Sequence, residues 1–323
     1  MSKFKIITLI SVIAVLIIAS FLWFTRPQVS KSQKPTFKLG YQNVIQSLPI
    51  FLAQEKGWLD NPNWKVEPVK MESSNQVNDA LLSNQINLTS QMSIYPPLLT
   101  QINNPNKIQI FATSDLTSDK PFDSIVTKSN SKIQNLSDLS GKKIGVFPGV
   151  TATNQLKALF KKQNIDFSKS EFVQLAPNLQ LQALSNGSIE AMHMYEPMVT
   201  TALQSPDYKK IYGSVYAEVF DHSPAAVWVL STKSKESHPQ EIKEITQMVQ
   251  KSYDYTLSNE SESRKIAQKA FSLDENVAQK APLGKTVFND QIDPNRVQGY
   301  ADLLLELGEL KQKVEVKDII YKE

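Results

Sequence analysis

The residues best suited to chemistry are mostly uncharged hydrogen-bonding groups, placed where an extended stretch gives way to a helical one. Tyr41, Gln42 and Ser47 follow the apolar run Phe37–Tyr41. A tyrosine ring offers a face, and an amide both donates and accepts, so this turn can hold a polar solute. An ordinary polar loop would carry the same residues. Ser90, Gln91, Met92 and Ser93 form a second such turn. Phe147-Pro148-Gly149-Val150-Thr151-Ala152 forms a third. There Gly149 allows close backbone approach, and Thr151 is expected to cap the helix. Its free N–H groups and positive dipole end would then suit an anion. Glu196 lies between Tyr195 and Pro197. A carboxylate there either favours a helix N-terminus or accepts hydrogen bonds from an ammonium or a ring N–H. Tyr195 could stack on such a ring.

Several chemistries are excluded. The chain has no cysteine, which removes disulfides, thiolate metal sites, thiol nucleophiles and lipid attachment through cysteine. No G-x-S-x-G, H-E-x-x-H or P-loop pattern occurs, and His193, His222 and His238 are scattered. No catalytic residue, metal ligand or cofactor is assigned, and the expectation is a non-enzyme.

These turns need strands and helices to position them. Expected strands are Phe37–Tyr41, Trp64–Val69, Ile108–Thr113, Ser124–Lys128, Lys143–Phe147, Glu171–Gln174, Ala191–His193 and Ala226–Leu230. Helical patterns between them include Leu48–Glu55, Asn75–Leu82, Thr151–Gln163, Leu179–Ser185 and Glu196–Leu203. Strands separated by helices predict βαβ units and mostly parallel sheets, an α/β class. From Gln240 to Leu310 the pattern is nearly all helical, with turns near Ser258, Ser272 and Pro282–Gly284. Trp228 reads as a core residue.

One internal echo stands out. Ala80-Leu81-Leu82-Ser83-Asn84-Gln85-Ile86-Asn87 resembles Ala183-Leu184-Ser185-Asn186-Gly187-Ser188-Ile189-Glu190. Each follows a helical stretch and leads to an aromatic residue near a proline, Tyr95-Pro96 and Tyr195-Glu196-Pro197. Two similar halves about 100 residues apart are what a two-lobed binder would show.

The N-terminus differs from the rest. Ile6–Phe24 is an uncharged run of 19 residues, long enough at ~1.5 Å per residue to cross a bilayer core. Lys3 and Lys5 precede it, and no small-residue cleavage site is well formed, so it reads as an uncleaved signal anchor. Residues 28–35 read as a tether. Five of the 35 basic side chains fall within residues 1–34, which leaves 30 against 32 acidic ones in the body. Nothing in that balance drives nucleic-acid binding. At 323 residues the chain is long enough for two lobes.

Leu39–Leu59 (LGYQNVIQSLPIFLAQEKGWL) resembles the opening of the solute-binding proteins for nitrate, sulfonates, taurine and thiamine-precursor pyrimidines. Asn78–Asn87, Ser137–Val146 (SDLSGKKIGV) and Tyr195-Glu196-Pro197 are similar to further landmarks of that family, in the same order. The resemblance implies a periplasmic-binding-protein fold of type II-like form with two inter-lobe crossings, preceded here by one N-terminal transmembrane helix. Residues 1–34 would be anchor and tether, 36–122 plus 225–323 one lobe, and 123–224 the other. It implies a monomeric, extracytoplasmic receptor, held at the membrane by its N-terminal helix and serving the permease and ATPase subunits of an ABC importer. The ligand would lie between the lobes, at Tyr41, Gln42, Ser47, Gln91, Ser93, Gly149, Thr151, Tyr195, Glu196 and Ser223. A carboxylate in that cleft would favour a small nitrogen-containing organic solute, taurine-like or pyrimidine-like. His222, beside Ser223 at the return crossing, would as readily be a solvated loop residue. A ligand-sensing receptor module of the same fold remains an alternative, and a cofactor-independent enzyme a less favoured one. Enzymatic relatives use cysteine chemistry, which this chain lacks.

Overall fold

The structure is a computed structural model that describes residues 34–322. The expected membrane anchor and most of the tether lie outside the described residues. Among the described residues, no helix is long and apolar enough to cross a membrane.

In chain order the strands are β1 (Thr36–Tyr41), β2 (Lys65–Lys70), β3 (Leu88–Thr89), β4 (Met92–Ser93), β5 (Ile108–Ser114) and β6 (Asp123–Lys128). They continue with β7 (Lys143–Val146), β8 (Glu171–Gln174), β9 (Ala191–Tyr195), β10 (Tyr208–Gly213), β11 (Ala226–Ser231) and β12 (Thr286–Phe288). The helices are α1 (Leu48–Glu55), α2 (Ser74–Leu82), α3 (Tyr95–Asn103), α4 (Val150–Lys162), α5 (Pro177–Ser185) and α6 (Met198–Ala202). They continue with α7 (Val215–Val219), α8 (Thr232–Ser237), α9 (Pro239–Ser258), α10 (Glu260–Phe271), α11 (Glu275–Lys280) and α12 (Pro294–Glu306).

The strands form two sheets. The larger runs β12-β5-β11-β3-β1-β2, with β4 also on β11, and the smaller runs β10-β6-β9-β7-β8. The chain therefore passes between the sheets twice, after β5 and after β10. Each strand expected from the sequence forms, within two residues at its ends. The expectation of mostly parallel sheets needs correction. β1 is parallel to β2 and β3, and β7 to β8 and β9, but β5, β6, β10, β11 and β12 pair antiparallel. β6 and β11 enter their sheets from the crossings, not from a helix packed on the same sheet, so no βαβ geometry holds them parallel. The C-terminal tail is not all helix either, because β12 adds an edge strand to β5 between α11 and α12. The helix expected over Glu196–Leu203 begins later, at Met198, with Pro197 as its N-cap.

The sequence echo is a structural repeat. α2 and α5 end in matching turns, with Gln85 and Ser188 donating their N–H to Ala80 and Ala183 at 2.8 and 3.0 Å. Asn87 and Glu190 then donate to the carbonyls of Lys38 and Lys143, both at 2.8 Å. The side chains of the same two residues accept from the N–H of Lys38 and Lys143, at 2.8 and 3.1 Å. Above each of β1 and β7 lies one isoleucine. A Cβ at Gly40 would sit 2.7 Å from Ile86 Cδ1, and one at Gly145 would sit 2.6 Å from Ile189 Cδ1 and 2.2 Å from Met192 Sδ. Glycine at both positions lets the turn lie directly on the strand.

The two crossings are joined. Leu116 and Ser223 exchange N–H···O bonds of 3.1 and 2.9 Å. Beside them the buried Asp115 carboxylate accepts from Lys285 Nζ and His222 Nδ1, both at 2.6 Å, so His222 is tied into the crossing. Burial alone would raise this carboxyl, but hydrogen bonds from Lys285 and His222 outweigh it and hold it below the ordinary carboxylate range. One continuous buried cluster reaches from Ile110 and Val229 in the larger sheet to Ile144 and Leu156 beside the smaller. α12 adds Val297, Tyr300 and Leu304 to it, and the Tyr300 hydroxyl accepts from Gln155 Nε2 of α4. Trp228 is fully buried in a second cluster behind the larger sheet, as expected.

Gly145→Ala should destabilise the fold by about 1–3 kcal/mol, because Met192 and Ile189 must leave their places to admit a methyl group. Gly213→Ala, where a Cβ meets nothing within 4 Å, is the control and should change stability little. Urea unfolding of both variants checks this, and equal midpoints would refute the close-approach account.

Candidate functional site

Where the two crossings meet, a narrow cleft opens between the sheets, with about 30 Å³ of free space. Its walls come chiefly from the turns at the C-terminal ends of β1, β2, β3, β5, β7, β9 and β10, with Ser93 of β4, Phe122 before β6 and Ala225 and Ala226 at the start of β11. That is where open α/β sheets generally bind their ligands. Of the residues expected at a site, Gln42, Gln91, Ser93, Gly149, Thr151 and Tyr195 all line this cleft.

From the larger sheet come Gln42, Gln91 and Ser93, with Ser74 and Asn75 at the start of α2. Three of them, Gln42, Ser74 and Ser93, form a connected set. Ser74 Oγ donates to Gln42 Oε1 at 3.0 Å and accepts from Ser93 N at 2.9 Å. Ser73 caps α2, accepting from Gln76 N at 3.2 Å. From the smaller sheet come Phe147, Pro148, Gly149, Thr151 and Ala152, at the end of β7 and the start of α4. The N-cap of α4 is Gly149, at φ +101°, and not Thr151 as expected. A glycine has no side chain to cap with, so the first turn of α4 carries no side-chain acceptor. A Cβ placed on Gly149 would lie 3.8 Å from Ser73 Cβ. The N-terminal ends of α2 and α4 therefore face each other across the cleft.

Two buried polar atoms at this place have no protein partner, Thr151 Oγ1 on one side and Gln91 Oε1 on the other. A buried polar group without a partner costs about 1–3 kcal/mol, so such atoms mark places where something else supplies the bond. No lining residue carries an ionisable acid, lysine, arginine or histidine. The rest of the wall is apolar or aromatic, with Val44, Leu116, Ala225 and Ala226 beside Phe122, Phe147, Tyr195 and Tyr216. The Tyr195 and Tyr216 hydroxyls bond each other at 2.8 Å, and burial pushes both well above the ordinary tyrosine value, so they stay neutral.

Four expected residues do not line the cleft. Tyr41 packs edge-on against Phe51 at 5.2 Å, on the other face of β1. Ser47 stands one layer back, donating to Gln42 O at 2.8 Å and sharing a 3.2 Å bond with Ser90 Oγ. Ser223 is buried in the crossing. Glu196 turns onto α6, where Oε2 accepts from Thr200 N at 3.1 Å. The residues missed from the sequence are chiefly Ser74 and Asn75, Phe122 and Tyr216. The capping pattern Ser73-x-x-Gln76 could have pointed to the first pair. No local pattern marks the other two.

Comparisons with known proteins agree with this fold. A family model described as NMT1/THI5 like matches residues 44–263. A Bacillus subtilis protein named as an aliphatic sulfonates-binding protein is 23% identical over 297 residues, which cover 89% of this chain and 86% of that protein. The crystal structure of the periplasmic aliphatic sulphonate binding protein SsuA from Escherichia coli superposes with a TM-score of 0.72 at 19% identity, covering 89% of this chain and 92% of that one. The alkanesulfonate-binding SsuA from Xanthomonas axonopodis pv. citri, bound to MOPS, gives 0.75 at 17% identity, covering 90% and 100%. The fold is thus the mixed α/β fold of the periplasmic binding proteins.

Burial raises the Glu196 carboxyl to about 7, against the lowering effect of its hydrogen bonds to Thr200. The folded chain then holds this proton more tightly than the unfolded chain does. Stability falls as pH rises from about 4.5 to about 7, by roughly 3 kcal/mol in all. Glu196→Gln should flatten that decline, as read from melting temperatures between pH 4.5 and 8. An unchanged slope would show that Glu196 is not the group responsible.

Proposed function

We infer the function from one premise: this chain belongs to the NMT1/THI5-like family. Its role is that of an extracytoplasmic solute-binding protein, which captures a small organic anion between two lobes and delivers it to the permease and ATPase subunits of an ABC importer. Residues 36–122 with 225–323 act as one lobe and 123–224 as the other. The single observation that carries the reading is the uncharged cleft, in which two helix N-termini face each other beside the unpartnered Thr151 hydroxyl. N–H groups and hydroxyls at helix ends bind an anion without any cationic side chain. Gln42, Gln91, Ser93, Gly149, Thr151 and Tyr195 are the proposed ligand contacts.

The anion is of the sulfonate type. A sulfonate carries one delocalised negative charge and three acceptor oxygens, which match several weak donors better than one strong ion pair. The relatives named for aliphatic sulfonates point the same way. A zwitterion such as taurine would bring an ammonium that no lining carboxylate neutralises, because Glu196 faces α6. The chain has no cysteine, so the thiol chemistry of enzymatic relatives has no counterpart here. The free space is small, so the lobes must open to admit a solute and close on it.

Isothermal titration of the full chain with ethanesulfonate tests the anion reading. Thr151→Val, which keeps the shape and removes the hydroxyl, should weaken binding about tenfold or more, since a hydrogen bond to a charged group is worth about 1.5–3 kcal/mol. Binding of ethylammonium in place of ethanesulfonate would refute it.

The uncharged run Ile6–Phe24 serves as a membrane anchor that stays attached. Alkaline carbonate washing of membranes should leave the chain in the pellet with its N-terminus intact. A mature N-terminus beyond residue 20 would disprove this.

A further inference from the structure

We propose that the cleft selects an aryl sulfonate, with a flat ring bonded directly to the sulfonate sulfur, over an alkyl sulfonate of similar size. The proposal rests on the anion-binding reading above and adds what lies beside the anion.

The anion end and an aromatic wall belong to the same turn. Phe147 stands two residues before Gly149, the uncapped N-cap of α4, and four before Thr151 with its unpartnered hydroxyl. A sulfonate bonded to the first turn of α4 must therefore direct its substituent past Phe147. The Phe147 ring is stacked with Tyr195, centroids 5.0 Å apart and planes 22° apart. Tyr195 meets Phe122 on the same terms, at 4.9 Å and 31°. The three rings form one column along the cleft, built from the end of β7, the end of β9 and the residue before β6. The hydroxyl bond between Tyr195 and Tyr216 holds the central ring in its orientation. Beside these rings the apolar lining is short and aliphatic, with Val44, Ala225 and Ala226.

Aromatic rings next to short aliphatic side chains suit a thin, flat group. Aromatic rings near other rings prefer offset-stacked or edge-to-face contact, and such pairs gain beyond the area they bury. A saturated ring of the same carbon count is thicker and lacks the quadrupole. A short alkyl chain leaves most of the aromatic wall uncovered. The few residues between Phe147 and the α4 cap leave no need for a spacer between ring and sulfur. Gln91, on the opposite side, can turn its amide by 180° to offer N–H donors to the sulfonate oxygens.

Isothermal titration of the full chain with benzenesulfonate, cyclohexanesulfonate and ethanesulfonate decides the matter. Benzenesulfonate should bind about three- to tenfold tighter than cyclohexanesulfonate, and by a larger factor than ethanesulfonate. Phe147→Leu should bring the ratio of benzenesulfonate to cyclohexanesulfonate affinity close to one. If either saturated ligand binds as well as benzenesulfonate, the aryl proposal fails while the anion-binding reading stands. If Phe147→Leu keeps the full ratio, the ring does not lie on this column and the proposal fails in that form. Should that variant not fold, the comparison in the unaltered chain decides alone. If none of the three binds, the sulfonate reading itself is wrong, and the aryl proposal goes with it.

Discussion

Two close approaches, Ile86 over Gly40 and Ile189 over Gly145, are the constraint on which the rest of this structure depends. Any side chain at either glycine would lift the helix-turn segment off its sheet. With hydrogen there, the turn drops onto the strand, and Asn87 or Glu190 completes it by bonding the backbone of Lys38 or Lys143. β3 and β9 are thereby set parallel to β1 and β7. Parallel strands send all their C-terminal ends to one edge, and the loops that leave that edge become the walls of the cleft. The same solution used twice explains why polar turns from both sheets converge.

The crossings then decide how those edges meet. Leu116 and Ser223 are paired through the backbone, and Asp115 draws His222 and Lys285 to the same point. A buried carboxylate is tolerated there because its partners outweigh the cost of desolvation. Because the crossings are paired at one place, motion between the two sheets would pivot there, against the continuous core that spans them. α12 lies along this junction and bonds α4 through Tyr300 and Gln155. The helix whose N-terminus faces the cleft is thus also held from the side of the crossings.

Charge is kept out of the cleft, although it makes up 21% of the chain. Glu196, the neighbour in sequence of the lining residue Tyr195, is folded back onto α6 and has its carboxyl raised by burial. What faces the cleft instead is helix backbone, hydroxyls, amides and a column of aromatic rings. A fixed cation would hold many anions alike, whereas this lining leaves discrimination to shape and to the number of donors in reach.

Much was legible in the sequence, for a local reason. α1 occupies the span its pattern predicted, the expected strands form, and the repeat is visible as a run of similar residues. Each of these rests on neighbours a few positions apart, where periodicity and turn chemistry act. The turn Phe147–Ala152, which lines the cleft, was recognisable as a strand-to-helix turn on the same basis, although its cap proved to be Gly149 and not Thr151. Other features were settled only by tertiary structure. The two-residue strands β3 and β4, and β12 within the helical tail, are too short to carry a period and exist through their pairing partners. Phe122 and Tyr216 meet Tyr195 from separate segments, and Ser74 reaches Gln42 from the next helix. Glu196, which the sequence placed in the cleft, is turned away from it. Sequence by itself determined the elements and the kind of groups at their ends, because those follow from local spacing. Which of those groups share one cavity was decided by the two crossings, because they bring together segments that lie far apart along the chain.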